Sequence, residues 1–377
     1  MSEMPAPRRR KRKRRKNQVQ KNMLIALCAV LAVILVVLIL ATAYAEHWLG
    51  LINREETRGT LSSSELENLY GPDETTDPNW SGTEISTVTW DTTPPETIFD
   101  GEEYVNILLI GQDRRWNESV GRSDAMVLLT FNKNTNSIYM TSFLRDLYVQ
   151  IPGYKDNRIN AAYPIGGMEL LKETIYHNFG VPIDGCAAVD FFRFPEIVDM
   201  LGGLDLELTQ AEADYLNENG NWGLGPAGSD WTLTAGVNHM TGEQCLAYSR
   251  IRKIDSDFHR TSRQHNVLMA LVGKVKDLSI TDAMGLLDTF LPMVTTDMTN
   301  KEILTHVASL FPMLANSEFK TQRVPKWQQY ENVVVNGMQV LLPDLGKIRQ
   351  ELINTLHYDA YVADTNSPSS TGSKTDE

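Results

Sequence analysis

The chain predicts an α/β fold: a layered α-β-α domain with a central mixed sheet, preceded by a single transmembrane helix. Three observations carry this. Strand-like and helix-like segments alternate from Tyr104 onward, which implies a sheet with helices on both faces. Two strand-like runs, Ala125 to Phe131 and Ser137 to Phe143, are separated only by the polar turn Asn132 to Asn136, the mark of a hairpin. Met23 to Ala45 carries no charged residue, and at ~1.5 Å per residue it spans roughly 34 Å, enough to cross a hydrocarbon core of ~30 Å.

Taken in chain order, residues 1–22 form a basic tail, with ten Lys/Arg against the single acid Glu3. Beyond Ala45 the balance reverses, to 25 basic and 47 acidic residues. Positive charge before the apolar stretch 23–45 places the tail in the cytoplasm and the rest outside, as a single-pass protein of the cell membrane with an extracellular C-terminal domain. Ala43-Tyr44-Ala45 has the small-x-small form of a cleavage site. The apolar stretch exceeds the ~7–15 residues of a signal-peptide core, which favours an uncleaved anchor. Beside such an anchor the basic run reads as a topology determinant touching anionic membrane lipids, and no nucleic acid is expected as a partner.

Residues 46–101, rich in Thr, Ser, Asp, Glu and Pro, read as an extracellular stalk with one short helix over Leu61 to Tyr70. A main domain is expected over 102–278. Its first strand is the apolar run Tyr104 to Ile110, ending at Gly111, and the hairpin follows. A helix runs from Gly167-Met168 to Phe179, with Leu170, Leu171, Thr174, Ile175 and Asn178 on one face. Cys186 to Phe191 is a strand, Pro195 to Leu201 a helix stopped by Gly202-Gly203, and Leu204 to Leu208 a strand. A long helix covers Asp257 to about Leu278. Residues 279–360 read as a helical C-terminal part of the same domain, with two helices in Met284 to Leu314, and 361–377 as a disordered tail. Cys28, Cys186 and Cys245 make no disulfide framework and no CxxC pattern, and the scattered His residues make no zinc site.

Nine of the fourteen arginines beyond the apolar stretch fall in two windows. One holds Asp113-Arg114-Arg115, Arg122-Ser123-Asp124, Arg145-Asp146 and Arg158. The other holds Arg250, Arg252, Asp257, Arg260, Arg263 and Gln264. Guanidinium groups interleaved with carboxylates suit a polyanion held with a divalent cation, above all a pyrophosphate. Several of these residues fall at strand ends, where loops converge over a sheet edge. Arg250 and Arg252, two apart in an extended segment, would point to one side as a pair of clamps. Arg260, Arg263 and Gln264 lie in the first turns of the long helix, whose free N–H groups also favour an anion. Any one Asp-Arg pair could be a structural salt bridge. The whole set is better explained by a ligand, because charges rarely bury together without one.

In order along the chain these residues resemble the LytR-CpsA-Psr family of bacterial envelope proteins. The resemblance covers roughly residues 104–275. Its motifs are G-x-D-x-R from Gly111, R-S-D from Arg122, S-x-x-R-D from Ser142, R-I-N-x-A-Y-x-x-G-G from Arg158 and D-x-L-G-G from Asp199. Gly242 to Arg252, with its Y-x-R-x-R ending, and D-x-x-R-x-x-x-Q from Asp257 complete the series. Leu144 stands where Pro is common and Cys245 where Ala is usual; neither departure removes a charge.

The resemblance implies an enzyme, a phosphotransferase moving a glycopolymer (teichoic acid, capsule or a related polymer) from an undecaprenyl-pyrophosphate carrier to peptidoglycan. It implies that Asp113 and Asp124 hold Mg2+, with Mn2+ as the alternative ion, and that one of them could serve as base. Arg115, Arg122, Arg145, Arg250, Arg252 and Arg260 would clamp the pyrophosphate. Asp146, Asp257 and Gln264 would orient them. Arg114 and Arg263 read as spectators, Asn160 and Tyr163 as turn and shell residues. Phe191, Phe192, Phe194, Ile197, Val198 and Leu201 suit either a polyprenyl tunnel or ordinary packing. Two other functions use the same residues: an envelope sensor of polyprenyl phosphates acting as a transcriptional attenuator, and a lipid pyrophosphatase with water as acceptor.

Overall fold

The computed structural model describes residues 44–55, 61–70, 80–90, 103–113, 121–190, 193–219, 230–251, 254, 257–276 and 280–365. Two compact units are distinguished, residues 1–51 and 52–377. Of the first, residues 44–51 are described and form helix α1. The expected membrane anchor thus lies outside the described residues, apart from its last two. Among the described residues no helix is long and apolar enough to cross a membrane.

The second unit is built on a seven-stranded mixed sheet. Its members are β1 (Asn53–Arg54), β3 (Tyr104–Asp113), β4 (Arg122–Asn132), β5 (Ser137–Phe143), β8 (Gly185–Asp190), β11 (Val294–Thr296) and β12 (Glu318–Val324), in the order β1-β11-β8-β3-β4-β5-β12. The hairpin β4–β5 is antiparallel, with Met126 opposite Phe143, while β3–β8 and β5–β12 are parallel. Alternation along β3 and β4 divides the side chains between two cores, as the pleat requires. Leu108, Ile110, Met126 and Leu128 face a large cluster with Met168, Leu171, Ile175 and Phe179 of α3 (Ala162–Phe179) and with Leu345, Ile348 and Leu352 of α10 (Leu345–Thr365). Val105, Leu129, Phe131 and Ile138 face the other way, against Leu310 and Met313 of α9 (Asn300–Asn316).

A separate core joins β9 (Leu204–Leu208) and β10 (Gly236–Met240) to four helices: α4 (Phe194–Met200), α5 (Gln210–Asn219), α6 (Gly242–Arg250) and α7 (Asp257–Lys276). Phe194 and Val198 belong to this packing, while Phe191 and Phe192 lie outside the described residues. Cys186 and Cys245 are free, buried and in different cores.

Four expectations change. Residues 46–101 are more than a stalk. Their β1 pairs with β11, β2 (Thr83–Ile85) pairs with β13 (Tyr330–Val335), and Leu66 and Leu69 of α2 (Ser63–Tyr70), with Trp80 and Trp90, pack on the main core. Trp90 Nε1 also donates to Asp156 at 2.6 Å. Residues 279–360 contain strands as well as helices: α8 (Ile280–Phe290) and α9 are joined by β11, and β12, β13 (Tyr330–Val335) and β14 (Met338–Pro343) follow. The tail is expected from 361, but α10 runs on to Thr365, and residues 366–377 lie outside the described residues. The segment before Arg252 is not extended: α6 continues through Arg250 and is capped at Ile251, because the Thr241–Gln244 capping box starts a helix that nothing interrupts. The helix expected from Gly167 is present, behind a kink at Gly166 and Gly167.

Candidate active site

The site is organised by an irregularity in the β3–β4 pair. Gly111 pairs with Ala125, but Gln112 pairs with Ser123, so Asp124 is an extra residue on β4. A bulge of this kind re-aims a side chain and sharpens the local twist. The Asp124 carboxylate meets Arg145, whose Nη1 lies 2.9 Å from each of its oxygens. Both side chains are largely buried, 11 % and 18 % exposed. Asn160 Nδ2 donates to the same carboxylate at 3.3 Å.

Arg145 and Asp146 form the turn after β5, and neighbours hold that turn on two sides. Asp146 lies 3.5 Å from Arg145 Nε through one oxygen and 3.5 Å from Arg158 Nε through the other. Arg158, on β7 (Asn157–Arg158), also donates from Nη2 to the Gln339 carbonyl at 2.9 Å, while the Asp146 carbonyl accepts from Leu341 N–H at 2.9 Å. Strand β14 therefore buttresses the Arg145 turn. Asn160 is 1 % exposed, and its Oδ1 is buried with no hydrogen-bond partner among the described residues. Gln112 Nε2 donates to the hydroxyl of the buried Tyr163, closing the floor beside the bulge.

The second arginine window reaches this region through α7. Its His265 Nε2 is hydrogen-bonded to Ser142 Oγ at 2.5 Å, three residues before Arg145. Burial first, and the nearby Arg323 second, lower the His265 pKa. Arg323 lies on β12 in register with Ser142, so a cation from the sheet edge adjoins this contact. Arg260 is buried on the first turns of α7, and Arg250 is half-buried at the end of α6. Arg263 serves another purpose. It donates to Glu212 at 2.6 Å and to the Ile251 carbonyl at 3.1 Å, which locks α7 to α5 and to the end of α6.

Of the expected site residues, the structure joins Asp124, Arg145 and Asp146 directly and places Arg122 two residues from Asp124 on the same strand. The backbone of Asp113 pairs with Arg122, and Asp257 begins α7; their side chains, with Arg115 and Arg252, lie outside the described residues. Gln264 is half-buried, next to His265. Asn160, expected as a turn or shell residue, is a hydrogen-bond partner of Asp124. Its motif was visible, but nothing local showed its orientation. Ser142 was visible only as the first position of its motif, and His265 and Arg323 were not expected, because the meeting of the three depends on strand register and helix docking.

Among the described residues no cluster of three His, Cys, Asp or Glu could hold a metal. The Asp124 carboxylate nevertheless supplies hard oxygens of the kind Mg2+ accepts, although one of them also accepts from the Asn160 amide nitrogen.

The family model LytR_cpsA_psr matches residues 72–354. A protein of Bacillus subtilis (strain 168) named polyisoprenyl-teichoic acid–peptidoglycan teichoic acid transferase TagT is 30% identical over 261 residues, 68% of this chain and 78% of its own. The corresponding TagU of Bacillus anthracis (strain CDC 684 / NRRL 3495) is 33% identical over 224 residues, 57% of this chain and 68% of its own. A structure of TagT bound to LIIa-WTA is 26% identical and superposes with a TM-score of 0.55, over 71% of this chain and 96% of that one. The crystal structure of B. subtilis TagT is 25% identical, with a TM-score of 0.54 over 74% and 98% of the two chains.

Proposed function

The chain belongs to the LytR-CpsA-Psr family, and on that premise we propose that it is a membrane-anchored transferase. It would move a glycopolymer of the teichoic acid class from an undecaprenyl-pyrophosphate carrier to a peptidoglycan hydroxyl. The observation that carries this reading is the buried Asp124–Arg145–Asp146–Arg158 chain of charges with Asn160 on Asp124. Relatives named for this transfer, and a relative's structure bound to LIIa-WTA, support it.

In the proposed reaction the acceptor oxygen forms a bond to the polymer-side phosphorus. The bond from that phosphorus to the bridging oxygen breaks, and the lipid phosphate leaves with the electron pair. Such a transfer needs positioning and charge neutralisation more than covalent help. Arg145 and Arg122 would hold the pyrophosphate at the β4–β5 end, with Arg250, Arg252 and Arg260 approaching from α6 and α7 and Arg115 from the β3–β4 connection. Asp146 keeps Arg145 aimed, and Gln264 and Asp257 would do likewise on α7. Asp113 or Asp124 would take the acceptor proton. Mg2+ would be held by Asp113 and Asp124, where it would neutralise charge on the phosphate oxygens.

The test is to extract the full chain in mild detergent and identify co-purifying lipid by mass spectrometry, for the native protein and for Arg145→Ala. A polyprenyl phosphate or pyrophosphate in the native sample that is lost from the variant is expected. Only bulk phospholipid in both would sink the reading. Turnover with a muropeptide acceptor against water alone then separates transferase from pyrophosphatase, and lipid binding without any turnover would point to a sensor.

A further inference from the structure

Helix α7 lies between two cores and is fastened to each by a different side. Arg263 donates to Glu212 and to the Ile251 carbonyl, and Val267 and Leu271 pack in the same core as these partners' helices. Spacings of four put the three side chains along one stripe. His265 follows Arg263 by two residues, which turns it roughly 200° round the helix. There its Nε2 meets Ser142 Oγ of β5 at 2.5 Å, and the buried Thr261, four residues earlier, shares that side.

Arg260 and Gln264 fall in the angle between these two sides. They are four residues apart and share a face. Arg260 lies about 60° from Arg263 and about 140° from His265, with Gln264 midway between the two. The remaining arc carries His259, Ser262, Asn266 and Met269, all exposed. Arg260 and Gln264 are therefore turned to the seam between the cores and away from solvent; Arg260 is buried there and Gln264 half-buried. Arg145 stands on the sheet side of the same seam, three residues beyond Ser142 and so within about 11 Å of it along the chain. Its turn is braced independently of α7. Leu144 N–H donates to the Val324 carbonyl, and Leu341 N–H to that of Asp146, each at 2.9 Å.

We propose that His265 is a positioning residue. Through Ser142 it fixes the rotation of α7, so that Arg260 and Gln264 meet the same pyrophosphate as Arg145. This deepens the lipid-pyrophosphate reading above and rests on it. A diphosphate is clamped from both walls of the seam. A monophosphate needs only the sheet wall, which stays in place without His265. Loss of the His265–Ser142 bond is therefore felt by the diphosphate alone. Burial and Arg323 hold the ring below its usual 6.5, so at neutral pH it is an uncharged link. A glutamine amide, which both donates and accepts, can take its place.

The test titrates the full chain in detergent with polyprenyl pyrophosphate and with polyprenyl monophosphate of the same length, by calorimetry at neutral pH. His265→Ala and Ser142→Ala are each expected to weaken pyrophosphate binding roughly 10–10²-fold, the scale of a small misplacement, and to leave monophosphate binding as it is. His265→Gln should restore most of the loss. His265→Asn, whose shorter amide cannot reach Ser142, carries the same expectation as alanine and keeps the test open where the alanine variants unfold. Equal weakening of both ligands in folded variants would make the contact structural only and overturn the proposal. So would a native preference for pyrophosphate that survives in His265→Ala or His265→Asn, with the lipid-pyrophosphate reading left standing. A native chain that binds neither ligand refutes that reading, and the role of His265 with it.

Discussion

Replacing Arg263 by alanine is expected to destabilise the domain by about 3–5 kcal/mol, the range for removing one partner of a buried ion pair. The Arg263 and Glu212 side chains are 3 % and 10 % exposed, with Nε and Oε1 2.6 Å apart. The guanidinium also donates to the Ile251 carbonyl at 3.1 Å and lies 6.0 Å from the centre of the Tyr248 ring. Without it, Glu212 keeps, among the described residues, the Thr209 N–H at 2.8 Å and the Thr209 hydroxyl at 2.9 Å, inside an apolar core. At ~2–4 °C per kcal/mol for a domain of this size, the melting temperature should fall by roughly 6–20 °C.

The pH dependence tests the cause. Burial disfavours the Glu212 carboxylate, yet the bonds from Thr209 and Arg263 prevail and hold its pKa below the ordinary 4.5. The pair therefore contributes its full stability above pH 4.5 and loses it as pH falls through the depressed value. Thermal melts followed by circular dichroism should show the deficit of Arg263→Ala at its largest at neutral pH, narrowing under acid conditions. Arg263→Met with Glu212→Leu should regain most of the loss. A deficit at neutral pH below about 1 kcal/mol, the scale of an exposed pair, would refute the reasoning. So would a deficit that does not change with pH.

Three further outcomes are expected. Arg145→Lys keeps the charge but loses the guanidinium that bridges Asp124 and Asp146, so turnover of lipid-linked polymer should drop roughly 10²–10³-fold; near-native turnover would remove Arg145 from the site. Burial and Arg323 hold the His265 pKa below 6.5, so its part of the stability is complete above pH 6.5 and declines as pH falls toward the lowered value; His265→Gln should flatten the stability profile there, and an unaltered slope in denaturant melts would count against it. A Cβ at Gly242 would meet the Pro195 carbonyl oxygen at 2.1 Å and its Cα at 2.4 Å, so Gly242→Ala should cost about 1–3 kcal/mol. Gly273→Ala, in the helix interior with nothing within 4 Å, should instead stabilise by up to ~1 kcal/mol in the same melts.

Some local features are legible in the sequence. Asn336-Gly337 is a two-residue hairpin signal between Tyr330–Val335 and Met338–Pro343, and both residues adopt positive φ, 50° and 79°, as that turn requires. The short pairings of β1 and β2 are different. Asn53–Arg54 and Thr83–Ile85 carry no strand pattern, and each is extended because a neighbouring edge offers unpaired backbone groups.

What the sequence determined alone was whatever repeats within a few residues: the pleat of β3 to β5, the helical face of α3, the polar hairpin turn, and the family's ordered arginine and aspartate motifs. Tertiary structure decided what each charge meets. Asp124 reaches Arg145 and Asn160 because one extra residue on β4 re-aims it, and Arg158 braces the site because β14 lies beside its strand. Arg263, three residues after Arg260 on the same helix, ties α7 to α5 and to the end of α6. His265 meets a serine 123 residues away. A charged side chain looks the same in sequence whether it will clamp a ligand, steady a neighbour or neutralise a buried carboxylate. The choice is made by strand register and helix packing between distant segments, whose partners no local pattern encodes.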